Sequence, residues 1–235
     1  MKPILFNTEM VQAILDGRKT VTRRLVKPQL YGNVIKTENV DPLGYLLYQT
    51  DEKYLGGYRN RKSQYAPGDI LYVRETWCES RNKYYYKADK KCMGCDEMGT
   101  CLPKGTPVTP VCELCEYSFD SYKWHPSLHM PKEAARIFLR VTGVRAERLQ
   151  DITEGQAINE GTPYELCGGW KPTFNNPDSG GPEPDFIKGF SKLWNSTIPV
   201  KPPEKLYQFG WKANPWVWVI EFERISKEDA YAEKL

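Results

Sequence analysis

Residues 14–24 read Ile-Leu-Asp-Gly-Arg-Lys-Thr-Val-Thr-Arg-Arg and mark a change from helix to strand near the N-terminus. Before this stretch, apolar residues recur from Met10 to Leu15 with the spacing of a helix that buries one face. Gly17 stands where a helix commonly ends in a left-handed residue. The sequence therefore predicts a helix that ends near Gly17 and an arginine-rich strand after it.

Positively charged side chains cluster around the start of that strand. Arg18, Lys19, Arg23 and Arg24 fall within seven residues, and Lys27 lies just beyond them. The net charge is only +3, so it says little about a polyanionic partner. Charge alone fits a solvated turn as well as a phosphate-binding surface.

The strands follow from runs of β-branched and aromatic residues. They are predicted for residues 2–6, 70–77, 84–87, 137–149 and 216–222. The stretch 28–66 lacks a sustained period, so we predict a long excursion with room for one hairpin.

Two later helices are also predicted. Residues 151–154 have the form of a capping box, and Gly161 closes the short helix that they open. A second helix is predicted over 185–195 from its single apolar face. The charged tail after Ile225 is expected to fray.

These elements predict an α+β fold. Several strands are broken by three helices without regular alternation, so a small mixed β-barrel flanked by helices fits better than a doubly wound sheet. A chain of 235 residues can bury one core, and we predict a single domain over 1–235. No apolar run approaches the roughly 20 residues of a membrane span, and no signal peptide is evident. A cytoplasmic protein with no membrane partner is expected.

Four of the seven cysteines form two pairs with the spacing of a zinc ribbon. Cys92 and Cys95 make one C-x-x-C pair, Cys112 and Cys115 make the other, and sixteen residues separate the pairs. Four thiolates close the coordination shell of a zinc ion, so the predicted cofactor is structural. Reduced free cysteines and a redox dithiol are the alternative interpretations.

The other cysteines leave the exact ligand set open. Cys101 lies between the two pairs and could replace one ligand, and His125 is a more distant substitute. Cys78 and Cys167 are predicted to be small buried residues.

The stretch 14–24, followed by Pro67-Gly68-Asp69-Ile70 and by residues 151–161, resembles the ASCH family. The closing strand, Trp216 to Phe222, is similar as well. The resemblance implies a PUA-like fold, a small β-barrel flanked by helices that handles RNA and modified nucleosides. The layout most resembles the longer members found in phages and prophages.

Relative to compact members, the chain carries three insertions. They lie at about 28–66, 79–130 and 162–184, and the second contains the zinc module at about 90–118.

The resemblance also implies site residues. Some compact ASCH proteins remove the acyl group of N4-acetylcytidine, and by motif position Lys19 would accept the proton, Thr22 would be the nucleophile and Glu160 the proton donor. A threonine hydroxyl needs such a base, and a lysine serves as one when burial or nearby cations lower its pKa.

Three functions remain open from the sequence. The first is binding of RNA, DNA or a modified nucleoside in a basic cleft, with Arg18, Arg23, Arg24 and Lys27 on phosphates and Trp77 stacked on a base. The second is the amidohydrolase reaction just described. The third is a ribonuclease that uses the same cleft. Whether the protein is an enzyme is left undecided at this point.

Overall fold

The computed structural model describes residues 1–30, 32–50, 58–80, 83–89, 123–168, 183–198 and 204–232. The chain divides into two compact units. Unit one consists of Met1–Leu15, Leu71–Leu139 and Ile225–Leu235, and unit two of Asp16–Ile70 and Arg140–Arg224. None of the described helices has the length and apolar character of a membrane span.

The elements confirm a mixed α+β composition. The strands are β1 (Lys2–Leu5), β2 (Val21–Leu25), β3 (Val34–Thr37), β4 (Tyr45–Thr50), β5 (Tyr58–Lys62), β6 (Ile70–Arg74), β7 (Trp77–Ser80), β8 (Lys83–Tyr86), β9 (Phe138–Arg148) and β10 (Trp216–Ile225). The α-helices are α1 (Thr8–Leu15), α2 (Glu154–Asn159), α3 (Tyr164–Cys167), α4 (Phe186–Thr197), α5 (Glu204–Phe209) and α6 (Lys227–Ala232).

The strands form three sheets. The largest has the order β1-β6-β9-β10-β2, the second is β3-β4-β5, and β7 pairs with β8. Within the described part of the chain the largest sheet has two edge strands, so these residues form an open sheet and not the closed barrel that was predicted.

Unit one begins with the predicted strand and helix. β1 pairs in parallel with β6, from Lys2 opposite Leu71 to Leu5 opposite Arg74. Parallel neighbours need a crossover connection, and α1 lies within it. The amide of Met10 donates to Asn7 Oδ1 at 2.8 Å, which caps the start of the helix.

Two predictions in unit one were wrong. The strand expected over 70–77 ends at Arg74 and β7 begins at Trp77. Between them the amide of Glu75 donates to Met130 Sδ at 3.2 Å. The tail after Ile225 forms α6 instead of fraying, and Tyr231 packs edge-on against Phe138 with ring centroids 5.9 Å apart.

Unit two places the arginine-rich strand against the last strand of the sheet. β2 runs antiparallel to β10, with Val21 opposite Glu221 and Leu25 opposite Val217. Gly17 has the predicted left-handed backbone, with φ of 73°. The predicted helix at 185–195 is confirmed as α4, and the side chain of Asp185 caps it.

The capping box of α2 lies two residues later than predicted. Thr153, not Asp151, is the N-cap, and its hydroxyl accepts from the amide of Gln156 at 3.3 Å. The Gln156 side chain accepts in return from the Thr153 amide at 3.1 Å. Asp151 instead ends the short 3-10 turn Leu149–Asp151.

Residues 28–66 contain more structure than one hairpin. β3, β4 and β5 form an antiparallel three-stranded sheet in unit two. In β4, Leu46 and Tyr48 are buried while Tyr45 and Leu47 are exposed. The sequence analysis did not predict β4, because this alternation is short and many polar residues surround it.

Candidate active site

Lys19 and Glu160 meet in unit two although 141 positions separate them in the chain. The two residues form an isolated antiparallel bridge. Next to it, the amide of Thr20 donates to the carbonyl of Asn159 at 2.9 Å, and the amide of Phe222 donates to the carbonyl of Thr20 at 2.9 Å. Backbone hydrogen bonds therefore join the start of β2 to the C-terminal end of α2.

The ammonium group of Lys19 donates to three acceptors. These are the carbonyl oxygens of Val21 at 2.9 Å and Glu160 at 2.8 Å, and Glu160 Oε2 at 2.7 Å. The side chains of Lys19 and Glu160 are 0% and 4% exposed. Three donors matched by three acceptors describe a protonated lysine beside a carboxylate, buried from solvent.

Arg23 supplies a second cation to the same carboxylate. Nη1 of Arg23 lies 3.3 Å from Glu160 Oε1, and the arginine side chain is fully buried. Nη2 donates to Gln156 Oε1 at 2.8 Å and lies 3.4 Å from Glu147 Oε2. Each oxygen of Glu160 therefore faces a different cation.

This environment perturbs the lysine. Burial lowers the pKa of Lys19, because the charged form loses its hydration. The carboxylate of Glu160 opposes this change, and the positive charges of Arg24 and Arg23 act in the same direction as burial. The pKa of Lys19 is therefore lower than that of an exposed lysine.

Thr22 is buried in β2, opposite Ile220 of β10. Alternation along the strand puts its side chain on the opposite face from Arg23 and on the same face as Arg24. The charge of Arg24 is close enough to act on Lys19. The structure thus joins Lys19 and Glu160 by direct contact and places Thr22 three residues further along the same segment.

A recess of about 240 Å³ lies beside this pair in unit two. Its lining residues are Thr20, Val21, Thr142, Arg145, Gln156, Asn159, Glu221 and Phe222. The recess includes the chain neighbours of Lys19 and Glu160, but the two residues themselves do not line it. Arg145 is ion-paired with Glu147 and Glu221, so charge in the wall is largely balanced.

The residues predicted to contact nucleic acid have different surroundings. Arg18 is about half exposed and bonds Asp16 at 3.0 Å, and Lys27 is exposed, with its amine 5.8 Å from the ring centroid of Phe209. Arg24 is partly buried. Arg23 is enclosed by its ion pairs, so its guanidinium does not face solvent.

Trp77 belongs to unit one and is packed inside it. Its residue is 8% exposed, and its ring lies 5.7 Å from that of Tyr84 and 5.1 Å from that of His125. A base could stack on this indole only after these neighbours moved.

The four predicted zinc ligands Cys92, Cys95, Cys112 and Cys115, and also Cys101, lie outside the described residues. Within those residues, no group of three or more His, Cys, Asp or Glu side chains is placed to hold a metal ion. Cys78 and Cys167 are buried, as predicted.

Gln156 and Glu147 were missed as site residues. Gln156 stands three residues after Thr153, so the correctly placed capping box would have located its side chain at the N-terminal end of α2. Glu147 carries no comparable local signal, because its contact with Arg23 joins positions 124 residues apart.

Comparisons of the chain with models of known families, with curated proteins and with solved structures found no match in any of the three.

Proposed function

We propose that unit two hydrolyses the acyl amide of a modified pyrimidine nucleoside of the N4-acetylcytidine type. The observation that carries the proposal is the buried contact between Lys19 Nζ and Glu160 Oε2 at 2.7 Å. It unites two of the three residues to which the ASCH resemblance assigns catalytic roles.

The cost of burying these charges supports a functional role. Removing two charges from water costs several kcal/mol per ion, and a buried pair often adds no net stability. Ionisable groups with perturbed pKa values are concentrated at functional sites. The lowered pKa of Lys19 therefore supports a catalytic role for the buried pair in preference to simple stabilisation.

Each residue has a defined step in the proposed reaction. The reaction begins when the proton between Lys19 Nζ and Glu160 Oε2, which lie 2.7 Å apart, moves to the carboxylate and leaves a neutral amine. The Thr22 hydroxyl then attacks the acyl carbonyl carbon while Lys19 takes its proton. Glu160 then protonates the exocyclic nitrogen as the carbon–nitrogen bond breaks, which releases the free base amine. Water hydrolyses the acyl-threonine, releases the carboxylic acid and restores the hydroxyl.

The nucleoside is proposed to bind in the recess beside Lys19 and Glu160. The hydroxyls of Thr20 and Thr142 and the amide of Asn159 offer hydrogen bonds to an uncharged ligand. Because Lys19 and Glu160 are shielded, substrate binding must open the shell around them. The proposal also includes membership of the ASCH family, for which the sequence motifs are the support.

Incubation of the purified protein with N4-acetylcytidine tests the reaction, with cytidine and acetate measured as products. We expect Lys19→Met and Thr22→Val each to reduce the rate by about 10²–10⁴-fold. Arg18→Met is the matched control, because Arg18 adjoins Lys19 but is about half exposed and pairs with the nearby Asp16. Turnover that persists in Lys19→Met would exclude the proposed base.

Nucleic-acid binding is the second candidate. It is favoured by the exposed Lys27 amine beside the Phe209 ring and by the exposed part of Arg18, which suit phosphate and base contacts. Binding of single-stranded RNA should then weaken steeply as salt is raised, and Lys27→Met should weaken it further. Shortened RNA products in the same incubation would instead indicate a ribonuclease.

A structural zinc ion on Cys92, Cys95, Cys112 and Cys115 is part of the proposal, supported by their spacing. Metal analysis of chelator-free protein should give about one zinc per chain. Loss of the metal from a Cys92→Ser/Cys95→Ser variant would assign these ligands.

A further inference from the structure

Arg23 contacts both ends of the short helix α2. Its Nη2 donates to Gln156 at the third helical position, and its Nη1 reaches Glu160, the residue that ends the helix. One guanidinium thus bridges the beginning and the end of α2. The rigid planar fork of arginine allows these simultaneous contacts, whereas a lysine amine is a single point charge.

Helix α2 needs contacts with other residues to be stable. α2 has only six residues, and isolated helices of this length are not stable in water. Its N-terminal end is held by the mutual hydrogen bonds of Thr153 and Gln156. Arg23 is attached to the same Gln156 oxygen that accepts from the Thr153 amide, so the capping box and the arginine form one connected network.

The Nη1 group of Arg23 acts on the orientation of the Glu160 carboxylate. Glu160 Oε2 accepts from Lys19, and Oε1 faces Arg23 at 3.3 Å. With only the lysine contact, the carboxylate could rotate about its terminal bond and leave Lys19. The second cation limits that rotation.

We propose that Arg23 is a positioning residue that holds the Glu160 carboxylate against Lys19 and ties it to Gln156 in the wall of the recess. The catalytic consequence rests on the proposed function, but the positioning itself is measured without any substrate.

The first measurement is nuclear magnetic resonance of the lysine ammonium groups, whose protons are seen only when hydrogen bonds slow their exchange with water. We expect one protected signal that disappears in Lys19→Met and is thereby assigned. In Arg23→Met this signal should be lost or should exchange at least about tenfold faster, and Arg23→Lys should restore part of the protection. Arg140→Met, which removes a partly exposed ion pair with Glu223, should leave it unchanged.

The second measurement is the rate of deacylation. Arg23→Met should lower kcat by about 10²-fold with KM changed less than about twofold, because misplacing a catalytic group affects the chemical step. A protected Lys19 signal that persists in folded Arg23→Met overturns the inference. If that variant does not fold, Arg23→Gln is measured instead, and unchanged exchange of the Lys19 ammonium there has the same meaning. Loss of protection in a protein whose wild type never deacylates the nucleoside supports positioning and refutes the proposed function.

Discussion

Each unit buries a cluster of charges, and the two clusters have opposite compositions. In unit one a single cation, Arg136, serves two carboxylates: it binds Glu75 through Nε at 2.9 Å and Nη2 at 3.0 Å, and Asp89 through Nη1 at 2.7 Å. In unit two the carboxylate of Glu160 contacts two cations, Lys19 and Arg23, and Arg23 also pairs with Glu147.

The difference indicates which cluster is better suited to proton transfer. The guanidinium of Arg136 stays charged at any physiological pH, and the ring of Tyr86 covers it at 3.9 Å. Burial raises the pKa of Glu75, but its two-pronged bond to Arg136 opposes that change. In unit two one cation is a lysine, whose amine releases a proton more readily than a guanidinium does, and burial lowers its pKa. We therefore interpret the Arg136 cluster of unit one as structural and, under the proposed function, the Lys19–Glu160 cluster of unit two as catalytic.

The largest effect on stability is expected from Arg136→Met. This change leaves the buried carboxylate of Glu75 and the partly buried one of Asp89 without their cation, and we expect unfolding free energy to fall by about 3–5 kcal/mol. Urea titration measures it, with Arg140→Met as the control for a partly exposed pair, expected to cost less than about 1 kcal/mol. Equal losses in both variants would contradict the structural interpretation of unit one.

A smaller loss of stability is expected from Lys19→Met. Glu160 keeps Arg23 as a partner, so we expect about 1.5–3 kcal/mol, the contribution of hydrogen bonds to a charged group. Deacylation should nevertheless fall much further than in folded Arg136→Met. A variant that is destabilised as much as Arg136→Met yet fully active would reverse the assignment of the two clusters.

Tyr86→Phe tests the hydrogen bond made by Tyr86, whose ring lies over Arg136 in unit one. It removes the hydrogen bond from the phenol to the carbonyl of Ala134 at 2.6 Å, for an expected cost of about 0.5–1.5 kcal/mol. Burial raises the pKa of Tyr86 to about 12, so the folded protein keeps this proton above the ordinary tyrosine value of 10.0.

The sign of the pH effect follows from that shift. The contribution of Tyr86 is fully present below about pH 10, where folded and unfolded chains both keep the proton, and it is lost as pH rises toward about 12. Unfolding free energy of the wild type should therefore fall more steeply over this range than that of Tyr86→Phe. Parallel curves for the two proteins would show that the phenol is not buried as described.

The smallest effect is expected from Arg18→Met. Its ion pair with Asp16 has both side chains more than half exposed, and such pairs contribute little. Unfolding free energy should change by less than about 0.5 kcal/mol and deacylation by less than about twofold. A large loss of RNA binding in this variant, with deacylation intact, would favour the second candidate function.

The elements that could be predicted depended on local patterns. The N-terminal strand and helix, the strand at Trp216 and the helix capped by Asp185 were found because their apolar periods and caps lie within a few residues. The three-stranded sheet at 28–66 was missed, since its strands are short and their pairing is decided by contacts between distant residues. The prediction that the tail after Ile225 frays was wrong for the same reason, because the ring of Tyr231 packs against that of Phe138, 93 positions earlier.

The candidate site divides in the same way. The sequence by itself determined that Lys19, Thr22 and three arginines stand together after Gly17, because left-handed glycine and the strand that follows are local features. Only the tertiary structure decided that Arg23 turns inward to Glu160 and Gln156 while Arg18 stays about half exposed, and that Trp77 is enclosed. Whether a charge is buried depends on what packs against it from elsewhere in the chain, and no local pattern contains that information.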